Sequence, residues 1–211
     1  MKKHDLPSVA DFNLDIDLIK LQESTDLLAE KFVDVRSANP MLCDNHMELV
    51  KQVYDNFEQI NLTTPSEILP YTASIKERLK RREEHLYNIP TEDYTGSYFE
   101  EIITQLTATA SRVRITKLAP GKTIPFHVDY DISYAVRCIV PIYGDRSVIN
   151  LFRRVDKLEA YNLEEGSAYF LNIGYPHAVV NMSDKPRIAL MFSLDGTDDL
   201  ETLYYLSLIH I

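Results

Sequence analysis

The spacing of apolar residues along this chain changes once, near residue 110. Before that point apolar positions recur at helical intervals. Asn45 and Glu48 stand three apart as a capping box. Val50, Val53, Phe57 and Ile60 follow at intervals of three and four, which predicts a helix. A second helix is predicted from Ala73 to Tyr87, carrying the basic run KERLKRREE. Those charges are expected to form a solvated face with acidic partners one turn away, not a phosphate-binding patch. Ser97 and Glu100 form a further capping box, followed by Phe99, Ile102, Ile103 and Leu106. Upstream, Ser24 is expected to cap a short helix bearing Leu27, Leu28 and Phe32. Leu14, Ile16 and Leu18 fit a strand and a helix equally, and residues 1–13 are expected to form a loosely held arm. The first hundred residues are thus expected to be mainly helical.

From Arg112 the period becomes two. Val113 and Ile115 alternate with Arg112, Arg114 and Thr116, the signature of a half-buried strand. Pro120-Gly121 breaks the chain, and a short extended segment follows with Ile124, Phe126 and His127. Further strand-like runs cover residues 134–143, 147–153, 167–172, 178–182 and 187–194, separated by turn signals such as Gly144-Asp145, Glu165-Gly166 and Gly174-Tyr175-Pro176. Many short strands with no helices between them predict a sandwich, jelly roll or barrel. The expected class is α+β. Residues 1–90 form a mainly helical region packed on the core, 91–196 the β core, and 197–211 a tail.

Composition narrows the function. A chain of 211 residues with 45% apolar and 26% charged positions is about one ordinary globular domain. A formal net charge of -10 argues against nucleic acid as a non-specific partner, because phosphate neutralisation needs a basic surface. No apolar run approaches the roughly 20 residues that span a bilayer, so no membrane partner is expected. Lys2 and Lys3 have no apolar stretch behind them, so no secretory signal is expected. The two cysteines, Cys43 and Cys138, make no disulfide framework and suit a reducing cytoplasm, the expected location. Cys138 lies in an apolar run and is expected in the core. The tail is acidic and then apolar. Its last residues, Leu206 to Ile211, read as translated adapter or an interrupted frame, so His210 is given no role.

The candidate chemistry lies in the second half. His127 and Asp129 stand two apart, so on an extended segment their side chains point to one side. His177 follows the Gly-Tyr-Pro turn and must meet that pair through folding, as the strand ends of a sandwich do. Two histidines and one carboxylate are the protein ligands of non-haem Fe(II) oxygenases, which keep open positions for co-substrate and oxygen. A lone His-x-Asp occurs by chance in many chains and then marks ordinary surface. Here the Pro-Gly turn, the distal histidine and Arg187 accompany it. Arg187 leads into the apolar Ile188-Ala189-Leu190-Met191, where a guanidinium needs an anionic partner. The two candidates are an internal salt bridge and the distal carboxylate of a dicarboxylate co-substrate, and the second is favoured.

The segments LAPGKTIPFHVDY and GSAYFLNIGYPHAVVNMSDKPRIAL, within residues 110–194, resemble the aspartyl/asparaginyl β-hydroxylase family of 2-oxoglutarate/Fe(II)-dependent oxygenases, which includes bacterial proline hydroxylases. The resemblance implies a double-stranded β-helix, or jelly roll, preceded and buttressed by the N-terminal helices. It implies Fe(II), 2-oxoglutarate and O2 as cofactors, with His127, Asp129 and His177 on the metal. Arg187 and Thr116 would hold the distal carboxylate of 2-oxoglutarate, and Arg137 would stand near its metal-bound end. A strand arginine facing solvent is the other reading of Arg137. Asp129 makes the chain look more like the bacterial amino-acid hydroxylases than the vertebrate enzymes, which lack that ligand. The implied reaction is hydroxylation of an amino acid, a peptide side chain or a small polar metabolite, with desaturation or ring formation open to the same chemistry. Tyr130, Asp131, Tyr134, Arg153 and Arg154 are candidate substrate contacts, each of which also reads as ordinary strand or loop surface. A different class of reading is a non-catalytic metal- or ligand-binding jelly roll, which predicts metal binding without 2-oxoglutarate turnover. Arg187 beside the whole triad counts against it. The sequence leaves the oligomeric state open.

Overall fold

The computed structural model describes residues 6–39, 57–70 and 72–195. The capping box at Asn45, Cys43 and the tail after Asp195 lie outside these residues. Five short strands come first: β1 (Val9–Phe12), β2 (Val33–Asp34), β3 (Phe57–Asn61), β4 (Thr63–Pro65) and β5 (Tyr87–Pro90). Eight consecutive strands then form the frame: β6 (Ala110–Leu118), β7 (Thr123–His127), β8 (Val136–Tyr143), β9 (Val148–Arg153), β10 (Leu158–Tyr161), β11 (Ala168–Leu171), β12 (His177–Asn181) and β13 (Arg187–Leu194). The larger sheet has the order β1-β11-β8-β13-β6-β3-β2 and the smaller β10-β9-β12-β7. The chain thus passes repeatedly between two facing antiparallel sheets, with β6, β8, β11 and β13 in one and β7, β9, β10 and β12 in the other. That is the jelly roll the strand pattern and the resemblance predicted. The edge strand β10 is the one member the pattern missed.

The reading of β8 and β13 as almost unbroken apolar runs, VRCIVPIY and RIALMFSL, is explained by cover on both faces. One face of the large sheet, with Val113, Ile115, Cys138, Val140, Leu190 and Phe192, shares a core with Leu21, Phe99 and Ile102. The other face, with Ile139, Leu171 and Ala189, packs on Phe152, Ile173 and Tyr175 between the two sheets. At Pro120-Gly121 the glycine has φ +67°, a left-handed turn that lets β7 fold back beside β12. Among the described residues no helix is long and apolar enough to cross a membrane.

The first half departs from its expected helicity. Residues 9–12 are not a loose arm: they pair with β11, and Phe12 is buried. Phe57 and Ile60 lie on β3, paired with β6, although their spacing of three suits a helix. Backbone pairing along β6 and burial on both sides outweigh a local preference worth tenths of a kcal/mol per residue. The first helix runs Leu18–Asp26 and is capped by Asp17, whose carboxylate accepts from the Lys20 N–H. Ser24 falls in its last turn and donates to the Lys20 carbonyl, so it cannot cap. The region 73–87 is two short helices, Ile75–Lys80 and Glu83–Leu86, broken at Arg82 with φ +52° before β5 begins.

The capping box at Ser97 is present. Its hydroxyl accepts from the Glu100 N–H, and the Glu100 carboxylate reaches back to the Gly96 N–H at 2.7 Å. The helix Tyr98–Ile103 behind it buries Phe99, Ile102 and Ile103. Ser97→Ala is expected to cost about 1 kcal/mol, read as a lower urea midpoint at unchanged slope.

Candidate active site

The end of β7 and the start of β12 are neighbours, and His127 and His177 are direct cross-strand partners with ring centroids 4.2 Å apart. Asp129 stands two residues past the end of β7, its N–H donating to the Ile173 carbonyl at 3.2 Å. The ligand atoms of His127, Asp129 and His177 all lie within 4.8 Å of one another. Both imidazoles are aimed by their own backbone: Nδ1 of His127 is 2.8 Å from the Pro125 carbonyl, and Nδ1 of His177 is 3.0 Å from the Tyr175 carbonyl. A carbonyl only accepts, so each Nδ1 carries the hydrogen and each Nε2 keeps its lone pair. His177 also stacks on Phe152, with ring planes at 21°. Burial, then the neighbouring His127 and Arg137, lower its pKa against the pull of Asp129, which favours the neutral, ligating form. Two nitrogens and one carboxylate oxygen, with the far side open to a cavity, fit a divalent metal of the Fe(II) type.

The cavity holds about 490 Å³ and is lined by His127, Asp129, His177, Arg114, Arg137 and Arg187 among others. Arg187 opens β13, is buried, and donates through one Nη to the Thr116 hydroxyl at 3.4 Å. Among the described residues no carboxylate pairs with it. Burial alone brings its pKa down to about 10. The internal salt bridge that the sequence allowed for Arg187 is therefore absent among the described residues.

Residues 93–196 match the model of the family described as aspartyl/asparaginyl beta-hydroxylase. The matched stretch is just under half of the chain. The metal-type triad, Thr116, Arg137 and Arg187 all fall inside the matched stretch. Among solved structures, the chain is similar to an oxidoreductase of the 2OG-Fe(II) oxygenase family from Burkholderia pseudomallei, at 11% identity over 65% of this chain and 67% of the other, with a TM-score of 0.41. It is also similar to an oxalate oxidase in complex with glycolate, at 18% identity over 40% and 41% of the two chains and a TM-score of 0.33. A cupin domain from Bordetella pertussis matches at 20% identity over 41% and 82%, with a TM-score of 0.33. No curated protein matches the sequence significantly.

Beside the triad lies a buried charge cluster that sequence reasoning missed. Glu84 has no exposed side-chain surface. Arg112 donates to its Oε2 at 2.6 Å, Arg137 pairs with its Oε1 at 2.7 Å, and Ser193 donates to Oε1 at 2.7 Å. Arg114 stands off at 3.9 Å. Burial on its own would raise the Glu84 pKa, but the three guanidiniums and the Ser193 bond hold it well below the usual carboxylate range. The sequence assigned KERLKRREE to a solvated face. In fact Arg78 and Glu83 form a buried pair at 2.9 Å, and Glu84 turns fully inward, because the break at Arg82 rotates the second helix onto β6. The polar side of β6 likewise faces the cavity instead of solvent, and Arg137, only 3% exposed, is not a solvent-facing strand arginine.

The substrate candidates divide. Tyr130 lines the cavity, its ring 4.5 Å from that of Tyr134. The Tyr134 hydroxyl accepts from the Glu84 N–H at 3.1 Å. Asp131 is exposed and accepts from the N–H and hydroxyl of Ser133 within its own turn. Arg153 is exposed over the Phe126 ring, and Arg154 lies over the Tyr175 ring and donates to the Leu6 carbonyl. Neither Asp131 nor either of these arginines lines the cavity. Gln59 of β3 and Asn150 of β9 do, and neither carried a signal in the sequence.

Proposed function

We propose that this protein is a 2-oxoglutarate- and Fe(II)-dependent oxygenase that hydroxylates an amino acid, a peptide side chain or another small polar metabolite. The observation that carries the reading is Arg187: a buried guanidinium with no carboxylate partner among the described residues, lining the same cavity as His127, Asp129 and His177. A buried charge demands a counter-ion, and the guanidinium fork matches a carboxylate bidentately.

In this reading His127, Asp129 and His177 hold Fe(II), Arg187 and Thr116 hold the distal carboxylate of 2-oxoglutarate, and Arg137 faces its metal-bound end. When bound, Fe(II) with 2-oxoglutarate and O2 supplies the oxidising equivalents for hydroxylation, with succinate and CO2 as co-products. The chain's own part is positional. The carbonyls of Pro125 and Tyr175 fix the tautomer of both imidazoles and aim them. Phe152, Ile173 and Ile139 present apolar walls that exclude water near the metal. Residues 91–196 form the oxygenase core. Residues 1–90 complete the cavity through Val35, Asn39 and Gln59, and helix Leu18–Asp26 supports the outer face of the large sheet.

The test is anaerobic binding followed by turnover on air. At a hundredfold excess over Kd, each bound ligand raises stability by about 2.7 kcal/mol. Arg187→Ala is expected to keep the Fe(II) increment, lose the 2-oxoglutarate increment and make no succinate. A wild-type protein that binds metal but neither binds nor consumes 2-oxoglutarate overturns the proposal in favour of a non-catalytic binding module.

A further inference from the structure

We propose that Arg114 anchors an oxyanion group of the substrate, so that this protein acts on an anionic small molecule and not on a neutral one. The inference rests on the oxygenase reading above and names the substrate class for that same cavity. Its basis is a charge imbalance. Arg112, Arg114 and Arg137 surround a single carboxylate, Glu84, and Arg114, Arg137 and Glu84 are buried while the Arg112 side chain is 15% exposed. Among the described residues, three guanidiniums against one carboxylate leave two positive charges unmatched where water is scarce. Such charges require partners. The cofactors do not provide them, because Fe(II), Asp129, Arg187 and dianionic 2-oxoglutarate are neutral together. Arg78, the other arginine lining the cavity, is matched by Glu83 at 2.9 Å.

Geometry selects Arg114 within the cluster. Arg112 and Arg137 hold Glu84 at 2.6 and 2.7 Å, whereas Arg114 is 3.9 Å from it and spends one Nη1 contact, at 3.1 Å, on the Arg112 carbonyl. Most of its fork is therefore left for a ligand, and it lines the cavity. The Nε and Nη1 of Arg137, buried beside it, have no acceptor among the described residues. Arg114 shares a face of β6 with Thr116, two residues or about 7 Å along the strand. An anion on Arg114 would thus lie one inward position from the co-substrate anchor. Burial and the two neighbouring guanidiniums push the Arg114 pKa down, with Glu84 and Asp129 pulling the other way. A guanidinium stays charged at neutral pH, so an added anion is what relieves it. A cavity of about 490 Å³ shared with the co-substrate suits a compact molecule.

The experiment is an anaerobic titration of the metal-loaded, full-length protein with acetate, malonate, glutarate and inorganic phosphate, against acetamide and malonamide, with and without saturating 2-oxoglutarate. At least one anion is expected to bind in the presence of 2-oxoglutarate, with the amides about tenfold or more weaker. Binding by the carboxylates alone or by phosphate as well identifies the oxyanion. Arg114→Gln is expected to lose about tenfold to a hundredfold in affinity for that anion, and Arg114→Lys to lose less. Both should retain Fe(II) and 2-oxoglutarate binding. Removing one crowded cation should also leave the Arg114→Gln melting temperature at or above wild type, whereas a purely structural arginine would lower it. The proposal falls if no anion binds, if the amides bind as tightly, if Arg114→Gln binds the anion like wild type, or if it loses 2-oxoglutarate in parallel. Failure of the wild type to bind 2-oxoglutarate sinks the oxygenase reading instead, and the titrations without it still decide the role of Arg114.

Discussion

In His177→Ala, Fe(II) affinity falls by more than about a hundredfold, and succinate production drops to background. The outer-shell partners of metal-bound histidines are typically worth 10–100-fold, so loss of a ligand itself exceeds that. The expectation is specific because His177 sits at the start of β12 opposite His127, with Nδ1 tied to the Tyr175 carbonyl and Nε2 left toward Asp129 and His127. Alanine removes the donor, and no other described histidine or carboxylate belongs to the cluster to replace it. The side chain also packs on Phe152, so part of any stability loss is packing. His177→Gln, which fills most of the same space, separates the two effects: it should fold like wild type and still lose the metal. Anaerobic Fe(II) titration monitored by melting, with succinate measured on admission of air, reads both. Wild-type Fe(II) affinity in either variant would place the metal elsewhere.

Glu84→Gln is expected to destabilise the fold by about 3–5 kcal/mol at neutral pH, the cost of stranding buried charge. The amide would keep one carbonyl acceptor for Ser193 but leave Arg112, Arg114 and Arg137 facing each other without an anion. The same substitution should change the response to acid, and the sign follows from the depressed pKa. Glu84 contributes its full stabilisation above its ordinary value of 4.5, and the contribution fades as pH falls from there toward the much lower folded-state value. The wild-type and Glu84→Gln curves should therefore be farthest apart above pH 4.5 and converge below it. Urea unfolding across that range measures the gap. A difference under about 1 kcal/mol at neutral pH, the range of a single surface ion pair, would show that the cluster does not need its carboxylate. Adding Arg114→Gln to Glu84→Gln should recover part of the loss, because it removes one of the three repelling cations.

The chain determined by itself the parts whose partners are local or whose period is simple. The strands of the jelly roll alternate or run apolar between Gly, Pro and Asp turns, and those turns act on their own residues. His127 and Asp129 share a side because a strand has period two, and Arg187 could be picked out because a cation leading an apolar strand demands an anion. The tertiary structure decided the rest. Phe57 and Ile60 satisfy a helical spacing equally well, and only pairing of β3 with β6 makes them strand. The alternation of Arg112, Arg114 and Thr116 reveals a polar face but not what it meets, and here Arg112 and Arg114 line the cavity. Glu84, 28 residues before Arg112, looks in one dimension like one more charge in a soluble helix. A pattern along the chain records which residues prefer water, whereas burying a charge depends on the field of every group brought around it. That field exists only once the sheets have closed.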